Sequence, residues 1–561
     1  MKNSLGCWTC RLRRKKCDEK EPVCGACAKL EIQCHDRHQK RPEWMDGGDG
    51  QTCKAEQVKR EIKTKARLRR GEPIIQAASD FMVTRSNGAE PMAPDQSPGS
   101  SDIVTAGNVE TMTQGPQEHA DWSQHGPQAR NEPHAFEGSD VVLSLFYLEK
   151  VLPFLFPFYN PSLRRGGKAW ILEMMVKRPA IRQAILCQSS YFSVVSGEVI
   201  GDASWESVLK QGESAFRTLR ESLEVMENLD IEHNLGCAVR VMASILQVHR
   251  FEITIMSFGN WQTHLNAALR LFEQLLNGRS GFHGIMDRLG PPVVRGVQNA
   301  QLPNPEQAAF RFSSALIIFD DIIASTMLQT RPVLYDYHRS LLCSGSEEDE
   351  PPVDTGAVVG IQNCVLLLIG EVASLDAWKM ECEKNGNLDI LELAQHATTI
   401  KKSLVFKLTE VEDMQVGENI GLPDPPMNQG FGTSHRPLVT TIWAHAALLY
   451  LCVVTSGWQP ANDDVRYHVN RVVELSYQIH PQALLRTIEW PFWIAGCLAE
   501  PAQETLFRQL IQGLRPPQLF GKLRKVLEIM ENVWLRKARG HGATQCLAAC
   551  FGTPEHPVLL V

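Results

Sequence analysis

Apolar residues recur at helical spacing through most of the chain beyond residue 140. Apolar positions separated by three and four residues predict helices in the segments 169–199, 204–228, 231–257, 260–277, 305–329, 356–383, 388–411, 436–456, 463–479, 482–498 and 516–538. No run there alternates apolar and polar residues between turn signals, as a half-buried strand would. We therefore expect residues 140–561 to form one large all-α domain with a sizeable core.

The segment Leu438–Trp458 is almost continuously apolar, which raises the question of a membrane span. Thr440, Thr441 and His445 interrupt it, and no basic flank anchors it. We expect a buried core helix here and no membrane partner.

Two segments before residue 140 lack the composition of a core. Residues 71–139 are rich in Gly, Pro, Ser, Gln and acidic residues, so they bury too little apolar surface to offset chain entropy and are expected to be a disordered linker. Residues 41–70 are expected to be a linker and a short basic helix. The apolar stripe of that helix is Ala55, Val58, Ile62 and Ala66. This stripe is under three heptads long, so a homodimer contact through 51–70, a basic signal or DNA-backbone contact, and a solvated helix all stay open.

Charge is divided unevenly along the chain. The whole chain carries a formal net charge of −7. Residues 1–70 contain 19 Lys and Arg against 10 Asp and Glu, which gives +9 and leaves −7 − 9 = −16 for the remainder. A basic end on an acidic body is the electrostatic pattern expected of a small nucleic-acid-binding module on a larger regulator.

Six cysteines near the N-terminus follow the spacing C-x2-C-x6-C-x6-C-x2-C-x6-C. They are Cys7, Cys10, Cys17, Cys24, Cys27 and Cys34. Thiolates at this spacing select zinc or an iron–sulfur cluster. Two tetrahedral zinc ions need eight sulfur bonds, which six cysteines supply if two of them bridge both ions. A disulfide framework would suit a secreted protein, but the start MKNSLGCW has no apolar signal region. The two-fold repeat does not match the common iron–sulfur spacings.

A basic run lies between the second and third cysteines. Its cations are Arg11, Arg13, Arg14, Lys15 and Lys16. We expect a two-turn helix held between metal ligands, which would present these cations to the DNA major groove. A solvated charged face is the ordinary alternative for such a run. The corresponding stretch of the second half carries the single cation Lys29, which we expect to contact the DNA backbone at most.

The cysteine pattern resembles that of the fungal binuclear zinc-cluster (Zn2Cys6) transcription factors, with Asp18 and Pro22 also in register. This resemblance covers residues 1–40 and implies a DNA-binding domain with two short helices and two structural zinc ions. In that family the first cysteine of each half bridges the two ions, which implies this role for Cys7 and Cys24.

The same resemblance implies how the basic run would meet double-stranded DNA. It places Arg13 and Arg14 at base edges and Arg11 and Lys16 at phosphates. Family members usually read CGG-like triplets, so a guanine-rich site is implied.

The large helical body resembles the fungal-specific transcription factor domain. The resemblance rests on Phe-Pro-Phe-Tyr at 156–159, Gly-Gly-Lys-Ala-Trp at 166–170 and an aromatic segment at 490–497. It implies regulation through autoinhibition, a small-molecule effector, or contact with coactivators or the transcription machinery. Regulators of this kind often control nutrient use or secondary metabolism.

The hypothesis that joins these observations is a nuclear, sequence-specific regulator of RNA polymerase II genes. Two alternatives stay open: a small-molecule sensor whose helical body is the main functional site, and a zinc-dependent interaction scaffold that does not read DNA. The chain contains no HExxH, GxSxG, Walker or paired-carboxylate motif. We therefore expect no enzymatic activity.

Overall fold

The structure is a computed structural model of the 561-residue chain. It describes residues 6–20, 23–30, 32–35, 42, 44–45, 51, 54–55, 58–59, 62, 138–162, 167–198, 204–227, 231, 233–254, 261–278, 281–290, 304–345, 350–418, 435–539 and 559–561. The predicted linker 71–139 therefore falls, apart from its last two residues, outside the described residues, as does Ala66 of the basic segment. The N-terminal module and the helical body are described separately below.

The N-terminal module contains two short helices, as predicted. Helix α1 is Trp8–Leu12 and helix α2 is Gly25–Ala28. A cysteine thiol caps each one, because the Cys7 Sγ accepts the N–H of Cys10 at 3.3 Å and the Cys24 Sγ accepts the N–H of Cys27 at 3.4 Å. The first cysteine of each half thus caps a helix start, and both of these cysteines are buried.

The body is helical throughout its described part, which confirms the predicted fold class. Its α-helices are α3 Gly138–Phe146, α4 Leu152–Leu155, α5 Ala169–Lys177, α6 Pro179–Ser196, α7 Trp205–Glu227, α8 Leu235–Thr254, α9 Trp261–Leu276, α10 Gly281–Leu289, α11 Pro305–Leu328, α12 Tyr335–Leu342, α13 Gly356–Val359, α14 Asn363–Asn385, α15 Ile390–Glu418, α16 Arg436–Ser456, α17 Asp463–Tyr477, α18 Glu489–Leu498, α19 Pro501–Gln512 and α20 Gly521–Ala538. A π-helical turn at Tyr147–Val151 joins α3 to α4, and 3-10 turns at Gln482–Ile488 and Pro517–Phe520 precede α18 and α20.

Several predicted segments divide where the backbone chemistry requires it. The segment 169–199 breaks before Pro179, since the residue before a proline avoids helical geometry and proline has no N–H to donate. The segment 356–383 divides at Gly360, which takes a left-handed conformation with φ of +85°. Periodicity also missed five shorter helices, α3, α4, α10, α12 and α19.

Helix α16 lies in the middle of the body. It is the helix, among the described residues, that is long and apolar enough to cross a membrane, and 83% of its most apolar window is buried inside the fold. The Trp443 ring stacks on that of Trp490 with centroids 5.2 Å apart, and its indole N–H donates to the carbonyl of Thr487 at 3.0 Å. The prediction of a buried core helix is confirmed.

Candidate metal centre

The six cysteines of the N-terminal module form two overlapping groups of four. Within each group the sulfur atoms lie within 4.8 Å of one another. The first group is Cys7, Cys10, Cys17 and Cys24, and the second is Cys7, Cys24, Cys27 and Cys34. Cys7 and Cys24 are the two residues that the groups share, so six thiolates offer eight places for metal–sulfur bonds.

The distances between sulfur atoms fit tetrahedral zinc. With zinc–sulfur bonds of about 2.3 Å, the edge of a tetrahedron of sulfurs is about 3.8 Å. The observed Sγ–Sγ distances are 3.8 Å for Cys7–Cys24, 3.6 Å for Cys10–Cys24 and 3.9 Å for Cys7–Cys27. Sulfur donors alone suit zinc rather than magnesium or calcium.

Burial governs the protonation of these thiols. It raises the pKa of Cys7, Cys10 and Cys27, that of Cys10 to about 11. Burial also acts to raise the pKa of Cys24, but hydrogen bonds from the backbone N–H and thiol of Cys27 outweigh it and lower this pKa to about 7. Because zinc binds thiolates, loading the site must displace protons from the buried thiols.

A carboxylate links the two halves of the module. The backbone N–H of Gly25, at the start of α2, donates to both carboxylate oxygens of Asp18 at 2.9 and 3.1 Å. A Cβ at position 25 would lie 2.6 Å from the Asp18 Oδ2, so glycine is required for this contact. The sequence placed Asp18 in register without giving it a role, and it gave no sign of the role of Gly25.

The basic run does not form the predicted two-turn helix, so that prediction is wrong. Helix α1 ends at Leu12 and contains only Arg11 of the five cations. Arg14 then takes a left-handed backbone conformation with φ of +53°, which stops the helix. The other cations follow in a turn and a segment without regular secondary structure that leads to Cys17.

The side chains of the basic run differ in exposure. Arg14, Lys15 and Lys16 are exposed, and Arg13 is half-buried. The guanidinium of Arg11 lies 4.4 Å from the centroid of the Trp8 ring, a cation–π contact that restricts its orientation. Lys29, at the C-terminal end of α2, is exposed.

Comparison with known families agrees with this arrangement. Residues 5–43 match the fungal Zn(2)-Cys(6) binuclear cluster domain, and residues 142–551 match the fungal specific transcription factor domain. The chain belongs to the fungal transcription factors that combine these two domains. The cluster domain of this family binds two zinc ions and DNA, and the family consists of transcription factors rather than enzymes.

Three fungal transcription regulators are similar to this chain over 72% to 100% of its length. Transcription factor dibT of Pestalotiopsis microspora is 30% identical over 100% of this chain and 99% of its own. Pestheic acid cluster transcriptional regulator 3 of Pestalotiopsis fici is 25% identical over 95% of this chain and 94% of its own. Trichothecene biosynthesis transcription regulator TRI10 of Trichoderma arundinaceum is 23% identical over 72% of this chain and 93% of its own. No solved structure matches the chain significantly.

The apolar stripe that follows the zinc cluster packs against the cluster module itself. Val58 is 6% exposed and Met45 is 9% exposed, both within one apolar cluster with the buried zinc-ligand cysteines. Ala55 and Ile62 also pack against this cluster, and the Trp44 ring lies edge-on to that of His35 with centroids 5.2 Å apart. Val58 of the described stripe is therefore buried by contacts within the chain, and Ala55 and Ile62 are half-buried there.

Proposed function

We propose that this transcription factor is a nuclear regulator of RNA polymerase II genes that reads guanine-containing DNA sites through the turn after α1. The observation that carries the proposal is the pair of overlapping cysteine groups. They hold Cys10 and Cys17 together and so present the basic run between them as one rigid loop. A positively charged loop fixed by metal ligands is suited to the major groove.

Individual cations take different roles in this proposal. Arg14 and Arg13 approach guanine edges, where a guanidinium can donate to O6 and N7 together. Lys16, like Arg11, pairs with phosphate and fixes the register of the module on the duplex. The stacking of Arg11 on Trp8 supports a positioning role, because it limits the directions in which the guanidinium points.

One cysteine role, one lysine role and the role of zinc complete the proposal. Cys7 and Cys24 bridge the two zinc ions, which is supported by their presence in both groups of four. Lys15 and Lys29 lie on the exposed surface and add positive charge beside the DNA backbone. Zinc is structural here, since every coordination position is filled by sulfur.

The zinc module binds DNA as a monomer in this proposal. Support comes from the apolar stripe, since Val58 is buried against the module and is not available to a second chain. A coiled coil through 51–70 would have to detach the stripe and expose the apolar surface that it covers.

The regulated genes belong to one pathway of secondary metabolism in this proposal. Support comes from relatives whose names connect them to a pestheic acid cluster and to trichothecene biosynthesis. The helical body would pass the regulatory signal on to coactivators or the transcription machinery.

Selection of bound sequences from random duplex DNA by the full zinc-loaded chain tests the proposal. We expect enrichment of single guanine-rich half-sites. Arg14→Ala should lose about 1–3 kcal/mol of binding free energy and relax preference at one base pair. Lys16→Ala should weaken binding to all sequences and reduce the salt slope by about one unit. Lys20→Ala, which removes an exposed cation beyond Cys17, is the matched control and should change neither.

Each outcome separates the alternatives. No enriched sequence would favour the interaction scaffold over a DNA reader. Enrichment of two half-sites at fixed spacing would refute monomeric binding. Unchanged affinity and salt slope in both Arg14→Ala and Lys16→Ala would show that the turn after α1 is not the reading element.

A further inference from the structure

Helix α15 exposes a pair of adjacent apolar side chains at the middle of its length. Phe406 is 67% exposed and Val405 is 44% exposed, whereas Leu404, on the opposite side of the helix, is buried in the body. A single exposed apolar side chain is ordinary on a protein surface. Here the apolar surface continues, because Phe406 also lines a groove between α14 and α15 whose wall includes the half-buried Leu367 and Leu368.

Charged residues of opposite sign flank this apolar pair along α15. The other residues of the same exposed face are Thr398, Lys401, Lys402, Thr409, Glu410 and Asp413. The two cations lie about one turn before the pair, and the two anions lie about one and two turns after it. The exposed face is therefore positive on its N-terminal side, apolar in the middle and negative on its C-terminal side.

A face with this order of charges is complementary to itself when a second copy runs in the opposite direction. In an antiparallel pair of α15 helices centred between Val405 and Phe406, the two Phe406 rings lie beside each other. With a rise of about 1.5 Å per residue, Lys402 is then offset along the axis by about 2 Å from Glu410 of the second copy and by about 6 Å from its Asp413. Because two-fold symmetry repeats each contact, the same attraction forms at both ends of the pair.

Two of these charges are available to a partner. Lys402 and Asp413 are both exposed, and neither makes an ion pair with another residue that the structure describes. Glu410, by contrast, pairs with Lys407 of its own helix at 2.6 Å. A partner that was acidic throughout would attract Lys402 but repel Asp413, and a basic partner would do the reverse. The separated signs therefore favour a second copy of this helix over a partner of one charge.

We propose that the helical bodies of two copies associate through this face of α15, antiparallel about a two-fold axis between Val405 and Phe406. The contact joins bodies only, so each zinc module still meets DNA by itself, and the inference does not rest on how DNA is read. One pair of helices forms a smaller interface than that of a permanent dimer, so we expect the association to be reversible and to depend on concentration.

Sedimentation equilibrium of the full zinc-loaded chain tests the contact at concentrations up to about 100 μM, where a weak interface should be occupied. We expect an equilibrium between monomer and dimer, and Phe406→Ala should weaken the association about tenfold or more. Leu391→Ala is the matched control and should leave the association unchanged. Leu391 is 74% exposed on the same helix, but it lies about 22 Å along the axis from the centre of the contact.

Reversal of single charges tests the antiparallel arrangement. Lys402→Glu and Asp413→Lys should each weaken self-association about tenfold or more, because like charges then meet at both ends of the pair. An equimolar mixture of these two variants should associate more tightly than either variant alone, because the new Glu and the new Lys attract each other and one end of the pair keeps its original charges. Glu392→Lys makes the same charge change as Asp413→Lys on an exposed residue about 20 Å from the centre, and it should have no effect.

Three outcomes would overturn the proposal. The first is a monomer at every concentration, and the second is a mixture that associates no more tightly than its separate variants. The third is self-association that none of the changes at Lys402, Phe406 and Asp413 weakens, which would place the contact elsewhere in the chain. DNA selection is a separate readout, so failure of this proposal is distinguishable from failure of the proposed function.

Discussion

Replacing Gly25 by alanine tests whether the Asp18 carboxylate joins the two halves of the zinc module. The Gly25 N–H donates to both oxygens of Asp18, and an added Cβ would lie 2.6 Å from one of them. That distance is shorter than a real contact allows, so the Asp18 side chain must rotate away. Asp18 is exposed, so it has room to do so, and the cost is the lost link rather than a buried clash.

The magnitude follows from two opposing effects. Loss of an exposed carboxylate at a helix start costs about 0.5–2 kcal/mol, typically about 1. Alanine is favoured over glycine within a helix by up to about 1 kcal/mol. The two effects nearly cancel in the single variant, so its net change is a weak test. In an Asp18→Ala background the carboxylate link is already lost, so only the helix preference of alanine remains. Gly25→Ala should then be neutral or stabilising. The coupling energy between the two positions should therefore be about 1 kcal/mol.

Zinc affinity of the full chain, measured by competition with a chromophoric chelator, reports this coupling, because folding of the module is linked to metal binding. A coupling of about 1 kcal/mol corresponds to about a fivefold difference in zinc affinity. Gly138→Ala is the matched control: Gly138 also begins a helix, and a Cβ there meets nothing within 4 Å. Effects of Asp18→Ala and Gly25→Ala that add within about 0.3 kcal/mol would refute the reasoning.

Two further predictions concern the cysteines and a buried histidine pair. Cys24→Ala removes a ligand from both groups of four and should reduce zinc content at both sites, whereas Cys10→Ala should reduce it at one site. The measurement is the number of zinc ions per chain. Equal losses of zinc in the two variants would contradict the shared role of Cys24. Burial lowers the pKa of His445 to about 3 and that of His468 to about 4, so below about pH 6.5 these residues gain protons only in the unfolded chain. The body should lose stability from pH 6.5 towards pH 4, by at most about 2.7 kcal/mol per pH unit from this pair. Urea unfolding at several pH values checks this, and His468→Leu should flatten the profile.

Much of the metal centre could be predicted because its ligands are close together in sequence. The spacing of Cys7, Cys10 and their four partners limits the possible geometries, and the number of bonds that two zinc ions need implies shared ligands. The path of the chain between Cys10 and Cys17 could not be predicted in this way. A run of arginine and lysine favours a helix by propensity, but the left-handed conformation at Arg14 ends α1 early and turns the chain towards the next ligand.

The helical body shows the same division between local and distant determinants. Helical period located most of its helices, because each buried face repeats within its own segment. The small cavity between α4, α8, α16 and α20 was outside the reach of such reasoning. Arg250, Arg486 and Lys522 belong to three separate elements, and no local spacing connects them.

The small number of DNA contacts in the zinc module constrains how the whole chain must work. The proposed contacts to the DNA backbone are those of Arg11, Lys15, Lys16 and Lys29, and four contacts predict a salt slope of only about −4. Proteins with about twice as many contacts gain much more of their affinity from counterion release than one copy of this module would. The rest of the chain carries a net charge of −16 and repels the phosphate backbone. We therefore expect occupancy of a target site to depend on more than the zinc module alone.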